Sequence, residues 1–324
     1  MRKTLLIVLG IAVSCSGAQA DEKDYAKERL AQAERISDIF ELAERPFVLE
    51  ADLTVMLKSK EKGHVKIAWQ SKDHWRREIS FGPYSETVVR VGEQEYRYFN
   101  SGFEPNRATE VKTLLEFSIR NDHYEVKGIK TQHKHGLELT CIQLKSTYST
   151  LTSDFETCVD PKSGEIRYDD RWKYGTNSGR AELDNYETFE GLRFPTRLRF
   201  TTESQEVVDI AVTRLEEHPF DEALLKPPTG AITRRICEGE TPPTMTHPPD
   251  LPDIGDIGIS GTVSLQLTVM IDGTVALNQV IGQTSDDLAN RIRPKLMKMK
   301  FKPAMCGNEP VVADIVYQIN IQKY

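Results

Sequence analysis

Two histidines flank a lysine at His133-Lys134-His135, and the cysteines Cys141, Cys158, Cys237 and Cys306 follow over the rest of the chain. Imidazole and thiolate are the usual zinc donors, but an i, i+2 spacing sets both rings on one side only in a strand. No carboxylate or cysteine adjoins the two histidines and no C-x-x-C occurs, so a solvated turn accounts for them better than a metal centre. His64 and His74 stand alone. Nucleophilic catalysis has no local signature either: there is no G-x-S-x-G, and Ser, His and Asp are scattered, which leaves only a triad assembled in space. The expectation is a binding protein with no catalytic residue, no metal and no cofactor.

Aromatic rings are the other concentrated resource. Tyr84, Tyr96, Tyr98 and Phe99, with Phe103 beside them, lie in one stretch that precedes an amphipathic segment. Rings of this kind either line a cavity for an acyl chain or fill an ordinary core. The basic run Arg291, Arg293, Lys295, Lys298, Lys300 and Lys302 offers a surface to an acidic partner or anionic lipid, or is a solvated helix face.

The cysteines have a simpler use. The chain opens with Arg2-Lys3, an apolar run from Leu5 to Val13, and Ala18-Gln19-Ala20 before an acidic stretch, the pattern of a cleavable export signal ending at residue 20. The rival reading takes Ala12-Val13-Ser14-Cys15 as a lipoprotein signal that leaves a lipidated Cys15. Export to the periplasm permits disulfides, and four cysteines allow three pairings. Cys141 lies in LELTCIQL and Cys158 in DFETCVD, successive strand-like runs that an antiparallel sheet would set side by side. A loop of that size is worth about 3 kcal/mol. Cys237 and Cys306 are left to pair.

Removing Arg2 and Lys3 leaves 40 basic against 49 acidic residues, a formal charge of −9. Nucleic acid is an improbable partner for so acidic a chain. Residues 260–324 carry seven Lys or Arg against five Asp or Glu, so the acidity belongs to the part before them. Between the two lies a proline cluster, Pro227, Pro228, Pro242, Pro243, Pro248, Pro249 and Pro252, read as a stiff, partly extended linker.

The elements that position these residues follow from periodicity. Leu30, Ala33, Ile36, Phe40 and Ala43 predict an amphipathic helix over 25–43, and Val111, Leu114, Leu115 and Ile119 a second over 108–119. About ten alternating runs, from FVLEADLTVM to EVVDIAVTRLEE, predict an antiparallel sheet curved around the helices. Near the end, GTVSLQLTVMIDGTVALNQVIG reads as a hairpin with a two-residue turn at Asp272-Gly273, completed by the strand VADIVYQINIQ.

Two resemblances join these readings. Residues 258–324, with the D-G hairpin, the V-x-G-x-T phrase, F-K-P-A and G-x-x-P-V, resemble the TonB C-terminal domain. The resemblance implies that the last strand, Ile315, Val316, Tyr317, Gln318, Ile319 and Asn320, receives an extended segment of an envelope protein by strand addition, or pairs with a second copy as a homodimer. Met299, in place of the family's usual aromatic residue, and Pro294, within the expected helix, depart from the pattern. Energy-transducing members add an uncleaved anchor and a long rod, neither of which is read here, so only the binding mode carries over. Residues 25–228, through FVLEADLTVML, CVDPKSGEIR and GLRFPTRLRF, resemble LolA-like carriers of lipoproteins. That implies a lipid or lipidated chain held on a concave face as the alternative function.

The resulting expectation is an α+β chain: signal peptide 1–20; antiparallel half-barrel wrapping one or two helices, 21–228; Pro-rich linker 229–257; and a TonB-like ββαβ domain, 258–324.

Overall fold

Phe47, Leu49, Ala51, Leu53 and Val55 are buried on one side of a single strand, with polar Glu50, Asp52 and Thr54 between them. That period-two burial, repeated strand after strand, makes a sheet with one apolar face. The computed structural model describes residues 16–57, 59–100, 103–116, 124–146, 154–174, 177–202, 205–248, 261–281 and 294–321. The signal segment up to residue 15, with Cys15, lies outside them.

In chain order the strands are β1 (Phe47–Met56), β2 (Lys60–Ser71), β3 (His74–Phe81), β4 (Tyr84–Val91), β5 (Gln94–Phe99), β6 (Phe103–Glu104) and β7 (Tyr124–Lys134). Next come β8 (Leu137–Ser146), β9 (Asp154–Val159), β10 (Ile166–Tyr174), β11 (Asn177–Phe189), β12 (Leu192–Thr202), β13 (Gln205–Glu217) and β14 (Ile232–Arg235). The rest are β15 (Thr244–His247), β16 (Gly261–Val269), β17 (Val275–Ile281), β18 (Lys300–Lys302), β19 (Ala304–Cys306), β20 (Glu309–Val311) and β21 (Ala313–Ile321). Thirteen of them form one sheet in the order β14-β5-β4-β3-β2-β1-β13-β12-β11-β10-β9-β8-β7. Its end strands β14 and β7 do not pair with each other, so the sheet is open rather than a closed barrel.

Three helices cover the apolar face: α1 (Ser16–Ser37), α2 (Ile39–Leu42) and α3 (Asn106–Leu115). Ala26, Leu30 and Ala33 of α1, Ile39 of α2, and Ala108, Val111, Leu114 and Leu115 of α3 join the inner rows of the strands in one core. The helix expected over 25–43 is broken at Asp38, whose carboxylate accepts the Glu41 N–H at 3.2 Å and caps α2. Aspartate competes for backbone donors in this way wherever it can end or begin a helix. Ile119, expected on the α3 face, lies outside the described residues.

A second sheet runs β21-β16-β17-β6. The β16–β17 hairpin departs from the two-residue turn. Met270 and Thr274 bracket a three-residue loop in which the Gly273 N–H donates to the Met270 carbonyl at 2.8 Å, and positive φ falls on Gly273 (+76°) and not on Asp272. Asp272 acts through its side chain, accepting from the Thr274 amide and hydroxyl at 2.9 and 2.6 Å. Most of the helix expected after the hairpin falls at 282–293, outside the described residues; 294–296 are helical.

The stretch expected to be a linker, 229–257, contains two short strands among its described residues, 229–248. Residues 232–235 are β14, paired with β5, and 244–247 are β15, paired with β18. Pro227 and Pro228 precede β14, Pro242 and Pro243 lie between it and β15, and Pro248 follows β15, while Pro249 and Pro252 lie outside the described residues. Cys141 and Cys158 are opposed on β8 and β9 and joined by a disulfide. A second disulfide joins Cys237 to Cys306 across 69 residues, worth about 4 kcal/mol in the loop-entropy account.

A Cβ on Gly273 would stand 1.9 Å from the Phe301 carbonyl oxygen, while the Phe301 N–H donates to the Gly273 carbonyl at 2.9 Å. This close approach seats the F-K-P segment on the hairpin. Gly273→Ala should therefore destabilise the chain by at least about 2 kcal/mol, combining positive φ with a backbone clash. Urea unfolding monitored by circular dichroism measures it, with Gly239→Ala as the comparison, since Gly239 also has positive φ (+76°) but open space around it.

Candidate functional site

The two sheets meet over buried charge. Glu86 belongs to the inward row of β4 with Tyr84 and Val88, and its carboxylate is fully enclosed. The Tyr84 hydroxyl donates to it at 2.8 Å, Lys112 of α3 lies at 3.5 Å and the Arg77 Nε at 3.4 Å. Burial pushes the Glu86 carboxyl up, but Lys112 and Arg77 outweigh it and hold the group below its ordinary range. Burial and the neighbouring Glu86 carboxylate raise the Tyr84 hydroxyl, which stays protonated as a donor. Lys112 also pairs closely with Glu104. Glu104 sits on β6, and β6 runs parallel to β17, with Phe103 opposite Asn278 and Glu104 opposite Gln279. The connection between β5 and α3 thus supplies an edge strand to the C-terminal sheet.

A second joint lies at the start of β21. The Asp314 carboxylate accepts from Arg97 of β5 at 2.7 Å, Arg234 of β14 at 3.0 Å and the Thr268 hydroxyl of β16 at 2.7 Å. Burial raises the Asp314 carboxyl, and the Arg97 charge with the Thr268 hydrogen bond more than reverses this, so it titrates below its ordinary value. Arg235 adds an exposed pair to Glu309 at 3.0 Å.

The four aromatic residues expected to line one cavity are divided between the faces of the sheet. Phe99 is opposite Glu86 in register and lies with Tyr84 on the helix side, while Tyr96 and Tyr98 alternate to the other side, where Tyr98 is exposed. Tyr84 packs against Phe81 with ring centroids 5.2 Å apart. On the helix side Leu30, Ala33, Ile39, Leu114 and Leu115 are wholly buried, so helix side chains fill the place that an acyl chain would take. His133 is exposed and lies 3.3 Å from Glu138, and the His135 ring stands 5.9 Å from that of Tyr168. Cys141, Cys158, Cys237 and Cys306 are all engaged in the two disulfides.

The strand residues Ile315 to Asn320 lie on β21, which pairs with β16 from Ala313–Val269 to Ile321–Gly261 without a register shift. On its other side no described strand pairs with it. Ile315 and Tyr317 share the face of buried Leu265 and Leu267 and are half-buried; Val316 on the opposite face is 62% exposed. Arg97, Arg234 and Asp314 went unnoticed in the sequence, since three charges from distant segments carry no local signal.

No family model matches the chain, and no curated protein matches it. Among solved structures it is similar to a LolA superfamily protein from Nitrosomonas europaea, at 10% identity and TM-score 0.40, over 62% of this chain and 97% of that one. A putative outer membrane lipoprotein-sorting protein domain from Vibrio parahaemolyticus gives 9% and 0.42, over 64% and 97%. A DUF1329 family protein from Desulfovibrio piger gives 11% and 0.44, over 63% and 97%. The first two are of the kind that residues 25–228 resemble, and likeness at this level carries no argument about what this chain binds.

A depressed carboxyl stabilises the fold in full above its unfolded pKa and loses that contribution as pH falls through its folded value. For Asp314 the loss begins below the ordinary 3.8. Asp314→Asn should cost about 1–3 kcal/mol at neutral pH, because half-buried Arg234 loses its carboxylate while Arg97 keeps Glu95. It should also flatten the acid limb of Tm against pH. Calorimetry of both proteins across that limb provides the check.

Proposed function

We propose that the chain is a cell-envelope binding protein that captures an extended segment of a partner protein on the free edge of β21, by strand addition. The single observation that carries this is the state of that edge: nine residues, regular register, no proline, and no charge from Ile315 to Ile321. Natural edge strands are blunted by charge, bulges, brevity or a covering element, and among the described residues none of these lies on the outer side of β21 beyond Asp314, which leaves a template for pairing. Backbone bonds to the outer groups of β21 supply affinity, and the two rows of side chains select sequence. An incoming strand places apolar residues beside Ile315 and Tyr317 and small or neutral ones beside Val316. The two disulfides fit an oxidising compartment, as export to the periplasm requires. The role is read as binding without catalysis, and the TonB-like reading of residues 258–324 agrees with it. Lipid carriage on the helix side is the less favoured reading, because α1, α2 and α3 would first have to leave.

Backbone groups alternate in direction along a strand, so of Val316→Pro and Tyr317→Pro one removes an outward donor and the other a bond to β16. The variant that keeps the native circular dichroism spectrum should lose the partner in a pull-down from envelope extract. If that folded variant still captures every protein that the unmodified chain captures, the edge is not the binding site.

A further inference from the structure

We propose that the outer face of the large sheet binds a small organic carboxylate with an apolar body, in a cleft between β2, β3 and the segment that crosses them after β13. The proposal depends neither on β21 as a strand acceptor nor on carriage at the helix side of the sheet.

The face of an antiparallel sheet turned away from its core is ordinarily polar and solvated. Val48, Ala68 and Val89 break this pattern. They share one row with Arg76 across β1, β2, β3 and β4, on the side away from the helices, and are 3%, 7% and 0% exposed. Their neighbours Leu49, Ile67 and Trp69 point the other way, into the main core. The crossing segment covers this row, its 3-10 turn at Glu222–Leu225 packing on β3 and β4.

That segment is fixed at several points. Asp221 accepts the Ala223 N–H at 2.9 Å, Arg76 donates to the carbonyls of Leu224 and Lys226, and the Ala231 N–H closes a turn on the Pro228 carbonyl at 3.2 Å. Pro227 and Pro228 restrict the chain between these anchors. Beneath it the packing is incomplete. A cleft of about 440 Å³ remains, with Ala68 at its floor and Leu224, Pro227, Pro228 and Thr229 along the crossing side. Small-molecule sites are of this size, about 300–1,000 Å³, and are mostly formed in advance of binding.

Charge selects the ligand. Glu78, the acid in the lining, is already satisfied by Arg76, two of whose nitrogens approach one carboxylate oxygen at 2.7 and 2.6 Å. Lys66 meets only Glu50, at 3.9 Å, and that carboxylate also takes Arg214 at 3.3 Å. The Lys226 side chain has no ion pair or hydrogen bond among the described residues. Two exposed ammonium groups with donors to spare, beside an apolar floor and two proline rings, suit an anion that carries hydrocarbon. A carboxylate fits better than a phosphate, which favours a guanidinium fork, and Arg76 has spent its own.

An amide NMR titration of the chain expressed without residues 1–20 tests this, with hexanoate, hexanol, hexylamine and inorganic phosphate as probes. Hexanoate should shift the amides of Ala68, Leu224 and Thr229 saturably, at least about fivefold more tightly than hexanol, with hexylamine and phosphate weaker still. The double variant Lys66→Gln, Lys226→Gln alters only exposed side chains; it should weaken hexanoate about tenfold and leave hexanol unchanged. Ala68→Leu, which fills the floor, should abolish both shifts, with circular dichroism read first. If that variant does not fold, the lysine variant decides alone. The proposal is overturned if hexanoate leaves the cleft amides unmoved, if hexanol or phosphate binds as tightly as hexanoate, or if the lysine variant keeps the affinity of the unmodified chain.

Discussion

A sheet that does not close carries two rows of unpaired backbone groups, and the way each row is covered organises this molecule. On the β7 side α1 lies along the strand and lends Glu22 to it. On the β5 side the chain leaves β13, crosses the outer face through a 3-10 turn at Glu222–Leu225, and returns as β14. Arg76 fastens that crossing by donating to the carbonyls of Leu224 and Lys226 at 3.3 and 3.4 Å. Covering the β5 edge has a second effect, since β14 brings Arg234 next to Arg97 and so creates the seat for Asp314. The C-terminal sheet is placed by the same device that protects the large one.

Among the described residues, ion pairs tie the C-terminal sheet to the large one. Glu86, Lys112 and Glu104 tie α3 to β6, and Asp314 ties β21 to β5 and β14. Burying a charge is costly, and a paired one often adds little net stability over an apolar contact of the same size. What such pairs do enforce is geometry: a sheet displaced by one residue would take the Asp314 carboxylate away from both guanidinium groups and leave Arg97 with Glu95 alone. Breaking one member is therefore expected to hurt more than the intact pair helps.

The parts legible in the sequence were those with a short period. Alternation located most strands, helical spacing located the buried faces of α1 and α3, and the position of Cys141 and Cys158 in successive strands located their bond. The turn at Asp272-Gly273 was recognised but assigned the wrong form, because the two-residue and three-residue loops share that dipeptide and differ in which residues take positive φ. The two strands inside the stretch read as a linker escaped notice for a related reason: four-residue strands such as Ile-Thr-Arg-Arg have no period to read. The aromatic residues are split by parity, since Tyr96 and Tyr98 lie an odd number of residues from Phe99 and alternate away from it. Nothing local connects Arg97, Arg234 and Asp314, which lie 137 and 80 residues apart along the chain and meet only through topology.

The two themes meet on one strand. β21 begins at Ala313, its second residue is the enclosed Asp314, and only beyond that point do exposed Val316 and the bare edge follow. The strand is thus pinned at one end by two guanidinium groups and a hydroxyl, and held along its inner side by an unbroken ladder to β16. An edge fixed in this way is already in the conformation that an added strand requires, so on binding only the incoming segment loses chain entropy. Were Asp314 solvent-exposed on a loosely attached domain, ordering the acceptor would subtract from the same few backbone bonds that supply the affinity. Under the proposed strand addition, the joint at Asp314 thus serves the acceptor strand by holding it in place.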